Sequence, residues 1–133
     1  MAQMSQEVMG ALNDETTVKM LATVSKDFVV NVVPIASIAA TDDHTVMFAN
    51  MFLNKTKQNL DVNKKVAATI YKPPATAYKI LGELTQYVTE GPLFDMIAEM
   101  VYQRMPLQIH GVGLISVHEV YSLGAPEPGK KLA

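Results

Sequence analysis

The stretch Ala77-Tyr78-Lys79-Ile80-Leu81-Gly82-Glu83-Leu84-Thr85-Gln86-Tyr87-Val88 carries the cleanest alternation in the chain. Tyr78, Ile80, Gly82, Leu84 and Val88 fall on one side, and Lys79, Glu83, Thr85 and Tyr87 on the other. A period of two with one apolar and one polar side is a strand with one buried and one wet face. Just upstream, Val66 to Tyr71 is a compact apolar strand stopped by Lys72-Pro73-Pro74. Downstream, Gly91-Pro92 opens a helix, since proline is tolerated at the first helical position. Phe94, Ile97 and Val101, with Leu93, Met96 and Met100, give that helix a broad apolar stripe, and Pro106 closes it. Ile109 to Tyr121 reads as the last strand, with Gly111 and Gly113 allowing curvature or close backbone approach.

The N-terminal half reads in the same terms. Met4, Val8 and Leu12 recur every four residues, the spacing of a short amphipathic helix, which Asn13-Asp14 ends. Lys19 to Val24 alternates, with Met20, Ala22 and Val24 on one side and Lys19 and Thr23 on the other. Ser25-Lys26-Asp27 forms a hairpin turn into a long second strand, Phe28 to Ala40. There Val29, Val30, Val32, Val33, Ile35 and Ile38 leave neither face polar, so both faces are expected to be buried. Pro34 cannot donate to a ladder and implies a bulge or a local sheet edge. Such a break either frees backbone groups for a ligand or bends the strand around a barrel. Thr41-Asp42-Asp43 makes the next turn, and Thr45 to Asn50 is the third strand.

Six strands joined mostly by short turns, with helices after the third and fifth, describe a mainly β protein. The expected architecture is a small, closed or nearly closed antiparallel barrel with short flanking helices. It forms one domain over residues 1–133, with an N-terminal helix within 1–14 and an extended Pro/Gly-rich tail at 124–133. The strands hold more valine and alanine than one small barrel interior needs, and surplus apolar surface marks a subunit interface.

Composition narrows the function. The chain has 133 residues, 49% of them hydrophobic, a net charge of −2 and no cysteine, which excludes disulfides, thiolate nucleophiles and cysteine metal sites. The first residues lack the basic and apolar regions of a secretory signal, and no apolar run approaches a membrane span. A soluble, cytoplasmic protein is expected. There is no G-x-G-x-x-G, no P-loop and no G-x-S-x-G. His44, His110 and His118 lie at no metal-ligand spacing and read as structural or surface residues, so no metal is expected. The nine methionines are scattered, and core packing accounts for most of them.

The function hangs on Ala49 to Leu60, A-N-M-F-L-N-K-T-K-Q-N-L. Asn54 is placed to be the N-cap of a short helix, followed by Lys55, Thr56 and Lys57. A helix N-terminus carries partial positive charge and favours acidic neighbours. Lysines in the first turn therefore suit either a solvated helix start or a bound anion such as phosphate. Lys64 and Lys65 add to the basic density, but without interleaved aromatic residues they do not point to nucleic acid.

The order of these motifs resembles the FMN-binding split-barrel family related to pyridoxamine 5′-phosphate oxidase. The segments that carry the resemblance are Leu21-Ala22-Thr23-Val24, Asn31-Val32-Val33-Pro34-Ile35, Phe48-Ala49-Asn50, Asn54-Lys55-Thr56, Gly82 and Thr89-Glu90-Gly91-Pro92. The resemblance implies a six-stranded split barrel, a homodimer and FMN at the dimer interface. It assigns the FMN phosphate to Asn54, Lys55 and Thr56, the ribityl chain and phosphate to Ala49 and Asn50, and the flavin ring to the backbone of Val32, Val33 and Pro34. Lys55 and Thr56 stand where the oxidase has arginine and lysine, and the oxidase's C-terminal arginine- and histidine-bearing substrate segment has no counterpart. The small FMN-binding branch is therefore implied rather than pyridoxine phosphate oxidation. The expected function is a redox flavoprotein, flavin reductase-like or electron-transferring, with no catalytic side chain assigned. The same fold holding a deazaflavin or haem, or a flavin-binding module without turnover, are the alternatives. The homodimer is checked by light scattering at micromolar concentration, where twice the chain mass is expected and a monomer mass refutes it.

Overall fold

The computed structural model describes residues 2–133. In chain order the elements are α1 (Gln6–Asn13), β1 (Val18–Val24), β2 (Val30–Pro34), β3 (Ala39–Ala40), β4 (Thr45–Asn50), α2 (Asn54–Val62), β5 (Lys65–Lys72), β6 (Thr76–Val88), α3 (Pro92–Arg104) and β7 (Gly111–Ser122). The strands form one antiparallel sheet in the order β2-β1-β5-β6-β7-β4-β3. Its two edge strands, β2 and β3, are neighbours in sequence, joined only by residues 35–38. A flat seven-stranded sheet would hold its edges about 29 Å apart at the usual strand spacing. The five Cα steps from Pro34 to Ala39 span at most about 18 Å. The sheet must therefore curl, and the result is a mainly β half-barrel of the split-barrel type.

There are seven strands rather than six, because the long second strand is interrupted. Ile35 and Ile38 leave the ladder and plug the core, at 5% and 1% exposure. The Ile35 N–H donates to the Lys19 carbonyl, 2.9 Å away. The first half of the expected strand starts late as well. Phe28 adopts a left-handed φ of 64° and continues the turn, which Ser25 closes by accepting from the N–H groups of Asp27 and Val29. Nor is β2 buried on both faces. It is an edge strand paired only with β1, and Val30 and Val32 are 68% and 54% exposed. Pro34 sits at that edge, where a missing N–H breaks no ladder.

The alternation of β1 is borne out, and its inward side is the one that carries Lys19 and Thr23. Lys19, Leu21 and Thr23 are buried while Met20, Ala22 and Val24 are only half-buried. The inward polar groups have partners: Thr23 accepts from the Asn59 side chain of α2 at 3.0 Å, and Lys19 donates to the Ile38 carbonyl at 3.3 Å. A hydrogen-bonded polar side chain such as Thr23 can occupy a core position that alternation alone assigns to an apolar one.

Elsewhere the pattern holds. Ile80, Gly82 and Leu84 of β6 face the core, joined there by Leu12, Leu21, Phe48, Leu60 and Ile115. A register shift between Leu84 and Gln86 turns Tyr87 from the expected wet face to pack against the core cluster. The helix α1 is capped by Ser5, whose hydroxyl accepts from the Val8 N–H, and α3 starts at Pro92 as its sequence predicts. Of the α3 stripe only Ile97 is buried, and Met96, Met100 and Tyr102 are exposed. The tail is not extended. It turns back along β7, with Lys131 bridging Tyr121 and the Leu132 N–H donating to the Val120 carbonyl. No helix among the described residues is long and apolar enough to cross a membrane.

Gly82 sits at the other register shift of β6, opposite β7. A Cβ there would overlap the backbone carbonyl oxygen of Ser116, which cannot rotate away as a side chain could. Gly82→Ala is expected to destabilise the fold by about 1–3 kcal/mol, the usual range for overpacking. Urea unfolding measures it, and an unchanged midpoint refutes the close approach.

Candidate functional site

The site builds from the entry into α2. At the end of β4, Ala49 is fixed by Ser37, whose hydroxyl both accepts from the Ala49 N–H at 3.0 Å and donates to its carbonyl at 3.1 Å. The next residue, Asn50, is 5% exposed and organises the loop. Its carbonyl side-chain oxygen accepts from the Leu53 N–H at 2.9 Å, and its amide donates to the Tyr87 hydroxyl at 2.9 Å. The expectation that Asn54 is the N-cap is corrected by this arrangement. Leu53 is the cap residue and makes no side-chain cap bond, while Asn54 is the first helical residue. Asn50, four residues upstream, has already taken the Leu53 N–H, which sets where the helix begins.

The first turn of α2 therefore has no side-chain cap and no acidic residue. Asn54 and Lys55 are exposed on it, whereas Thr56 is buried. The Thr56 hydroxyl accepts from the Asn31 amide of β2 at 3.3 Å, which ties the helix start to the edge strand. Below it the Asn59–Thr23 bond ties the same helix to β1. Lys57, on the other side of the helix, is engaged with Asp61 at 2.6 Å and stacks over the Tyr87 ring at 4.7 Å.

Two groupings result. On one side of α2, Thr56 meets Asn31 of β2, with Lys55 the residue before it on the helix, and β2 carries Val32, Val33 and Pro34 and has no strand on its outer side. On the other side Asn50, Asn54, Lys57, Gln58, Tyr87 and His110 line a polar recess of about 500 Å³. Of the eight residues singled out by sequence, Val32, Pro34, Asn54 and Lys55 are exposed and Val33 is half-buried. Ala49, Asn50 and Thr56 are buried and act by positioning. Sequence reasoning missed Asn31, Ser37 and Tyr87, whose partners lie 25, 12 and 37 residues away. Only for Tyr87 was there a signal: Gly111, because a Cβ there would overlap the Tyr87 ring.

The histidines divide. His110 lines the recess, and its backbone N–H donates to the Asn50 carbonyl. His118 is exposed near Glu83. His44 lies with Asp42 and Asp43 in an exposed turn, the one trio among the described residues close enough to share an ion. Its Nδ1 is 2.8 Å from the Asp43 carboxylate, a hydrogen bond that raises the imidazole pKa. These three side chains satisfy one another.

A curled antiparallel half-barrel, with a helix start held against a free sheet edge, defines the split-barrel class. The sequence matches the pyridoxamine 5′-phosphate oxidase family over residues 4–123, and the chain belongs to that family. It is 31% identical to an uncharacterized protein of Methanocaldococcus jannaschii, over 98% of this chain and 89% of that one. Among solved structures it is similar to HupZ of Group A Streptococcus, with a TM-score of 0.82 at 23% identity, covering 96% of this chain and 99% of the other. An FMN-binding protein from Syntrophomonas wolfei superposes with a TM-score of 0.79 at 19% identity, covering 91% and 87%. The fold is shared further with an F420 reductase, TM-score 0.68 at 17% identity over 87% and 98%. It is also shared with the haem storage protein HutZ of Vibrio cholerae, TM-score 0.66 at 12% identity over 91% and 95%. At these identities the solved structures speak for the fold.

Asn50→Ala removes both bonds that hold the entry to α2. It is expected to destabilise the protein by about 1–3 kcal/mol, the penalty for buried groups left without partners, and Tyr87→Phe by less. Urea unfolding of the two variants checks the order, and an Asn50→Ala protein as stable as wild type refutes the assignment.

Proposed function

We propose that the chain binds FMN in the groove between the edge strand β2 and the start of α2, and that it serves as a redox flavoprotein. The observation that carries the reading is the uncapped, acid-free first turn of α2 with Lys55 exposed on it, tied by Asn31 and Thr56 to a strand with an open edge. The free N–H groups of a helix start favour an anion, and the Lys55 ammonium adds a charge-assisted donor. Thr56 is buried and contributes by holding Asn31. The backbone of Val32, Val33 and Pro34 offers donors and acceptors to the polar edge of a flat ring, while exposed valines offer it an apolar surface. Ala49 and Asn50 set the shape of the groove's end.

The bound flavin would supply one- and two-electron chemistry, with the protein contributing binding, orientation and exclusion of competing reactions. The exposed Phe28, Val29, Val30 and Val32 support a second copy of the chain packing over this edge and covering the cofactor. The family relation and the FMN-binding structural neighbour support flavin. The F420 reductase and the haem storage protein make deazaflavin and haem the competing ligands.

The test is the absorption spectrum of the purified protein, with the cofactor released by heat and identified by mass. FMN is expected. A colourless protein that also fails to take up added FMN overturns the reading, and a released haem or deazaflavin replaces it. Lys55→Ala is expected to weaken FMN binding by about 1–3 kcal/mol, the scale of a hydrogen bond to a charged group. Fluorescence titration measures it, and unchanged affinity removes Lys55 from the site.

A further inference from the structure

A second cavity, of about 450 Å³, opens between the residue 35–38 link, β4 and α3. None of the eight residues assigned to the flavin groove lines it. Its walls are apolar and include Ile97 and Val101 of α3. Met47, Met51, Met100 and Met105 also line it, so four of the nine methionines gather in one place. Methionine side chains are flexible and polarizable, and suit a surface that adapts to varied apolar bodies. The volume and lining are those of a small-molecule site, mostly apolar with few polar groups.

Asn13, Glu15, Ser37 and Arg104 also line the cavity, and the buried cation among its polar lining is Lys19, 7% exposed. An ammonium carries three donors, and this one makes a single, long hydrogen bond, 3.3 Å to the Ile38 carbonyl. Two acids stand near it in sequence, and both are committed elsewhere. Asp14 accepts from the backbone and side chain of Thr16 and pairs with Lys72 at 3.0 Å. Glu15 pairs with Arg104 at the cavity mouth. Among the described residues Lys19 therefore has no ion-pair partner. Burial pulls its pKa down, while the fields of Asp14 and Glu15 oppose that and Arg104 reinforces it. A buried cation without a counter-ion is unfavourable, and it is relieved by an anion brought in from outside.

We propose that this cavity binds a small monocarboxylate with an apolar body, its carboxylate paired with Lys19 and its hydrocarbon part among the methionines. A single negative charge is specified by the count of free cations. Arg104 is already neutralised by Glu15, so a phosphate dianion would bring more charge than Lys19 can match. The site is separate from the proposed flavin groove and stands whether or not that groove holds FMN.

Calorimetric titration of the full-length protein with octanoate tests it, with octanamide and inorganic phosphate as comparisons. Octanoate is expected to bind saturably. Octanamide, the neutral analogue, is expected to bind roughly tenfold more weakly or worse, the equivalent of a lost charge-assisted bond, and phosphate not to compete. Lys19→Met should lower octanoate affinity by a similar factor while its thermal unfolding shows a folded protein. Octanoate that does not bind at millimolar concentration overturns the proposal. So does octanamide binding as tightly as octanoate, a comparison that needs no variant. Competition by inorganic phosphate would overturn the choice of a monoanion.

Discussion

Residues 35–38 are the constraint on which the rest depends. They are too short to cross a flat seven-stranded sheet, so the sheet curls and its two unpaired edges, β2 and β3, are held within reach of the link. The same four residues supply Ile35 and Ile38 to the core, the carbonyl that Lys19 binds, and Ser37, which fixes Ala49 from both sides. A linker this short positions the end of β4, hence the entry to α2, hence everything proposed for the flavin groove. Pro34 at its start and the paired isoleucines around Ala36 and Ser37 are what let it leave one ladder and enter another.

Much of this was legible in the chain. The alternation of β6, the apolar run of β5, the proline start of α3 and the spacing of α1 each reflect a local rule that the tertiary structure respects. The failures have a common cause. The alternation of Lys19 to Val24 does not say which side faces inward, because the buried partners of Lys19 and Thr23, the Ile38 carbonyl and the Asn59 amide, lie far away in sequence. The valines of β2 read as buried because sequence cannot distinguish a core face from an exposed apolar edge. Asn54 read as a cap because its residue type favours caps, yet Asn50 had already claimed the loop. Lys55 stood out in the sequence because lysines are electrostatically odd at a helix start, whereas Asn31, Ser37 and Tyr87 act through partners that only the fold brings near.

The electrostatics of the molecule are local rather than global. With a net charge of −2 the chain is not a broadly basic surface, and both proposed sites rest on single cations in particular surroundings. Lys55 stands in water beside uncapped N–H groups, and Lys19 stands in apolar surroundings with its acids engaged. The first suits a strongly hydrated anion that keeps part of its solvent. The second suits one that sheds it.

The sheet order has a consequence for how such a protein comes to bind anything. The two walls of the proposed groove come from β2 and from the β4–α2 junction, which stand near opposite ends of the strand order. β4 reaches the rest of the sheet by pairing with β7, joining residues 45–50 to residues 111–116. Pairings across that much chain form slowly, because loop-closure entropy comes before any reward. The groove therefore does not exist in a partly folded chain. A ligand bound there would act only on the folded half-barrel, and by mass action it would draw the folding equilibrium toward that state. Under the proposed function, a cofactor bound in that groove would therefore raise the share of chains that are folded.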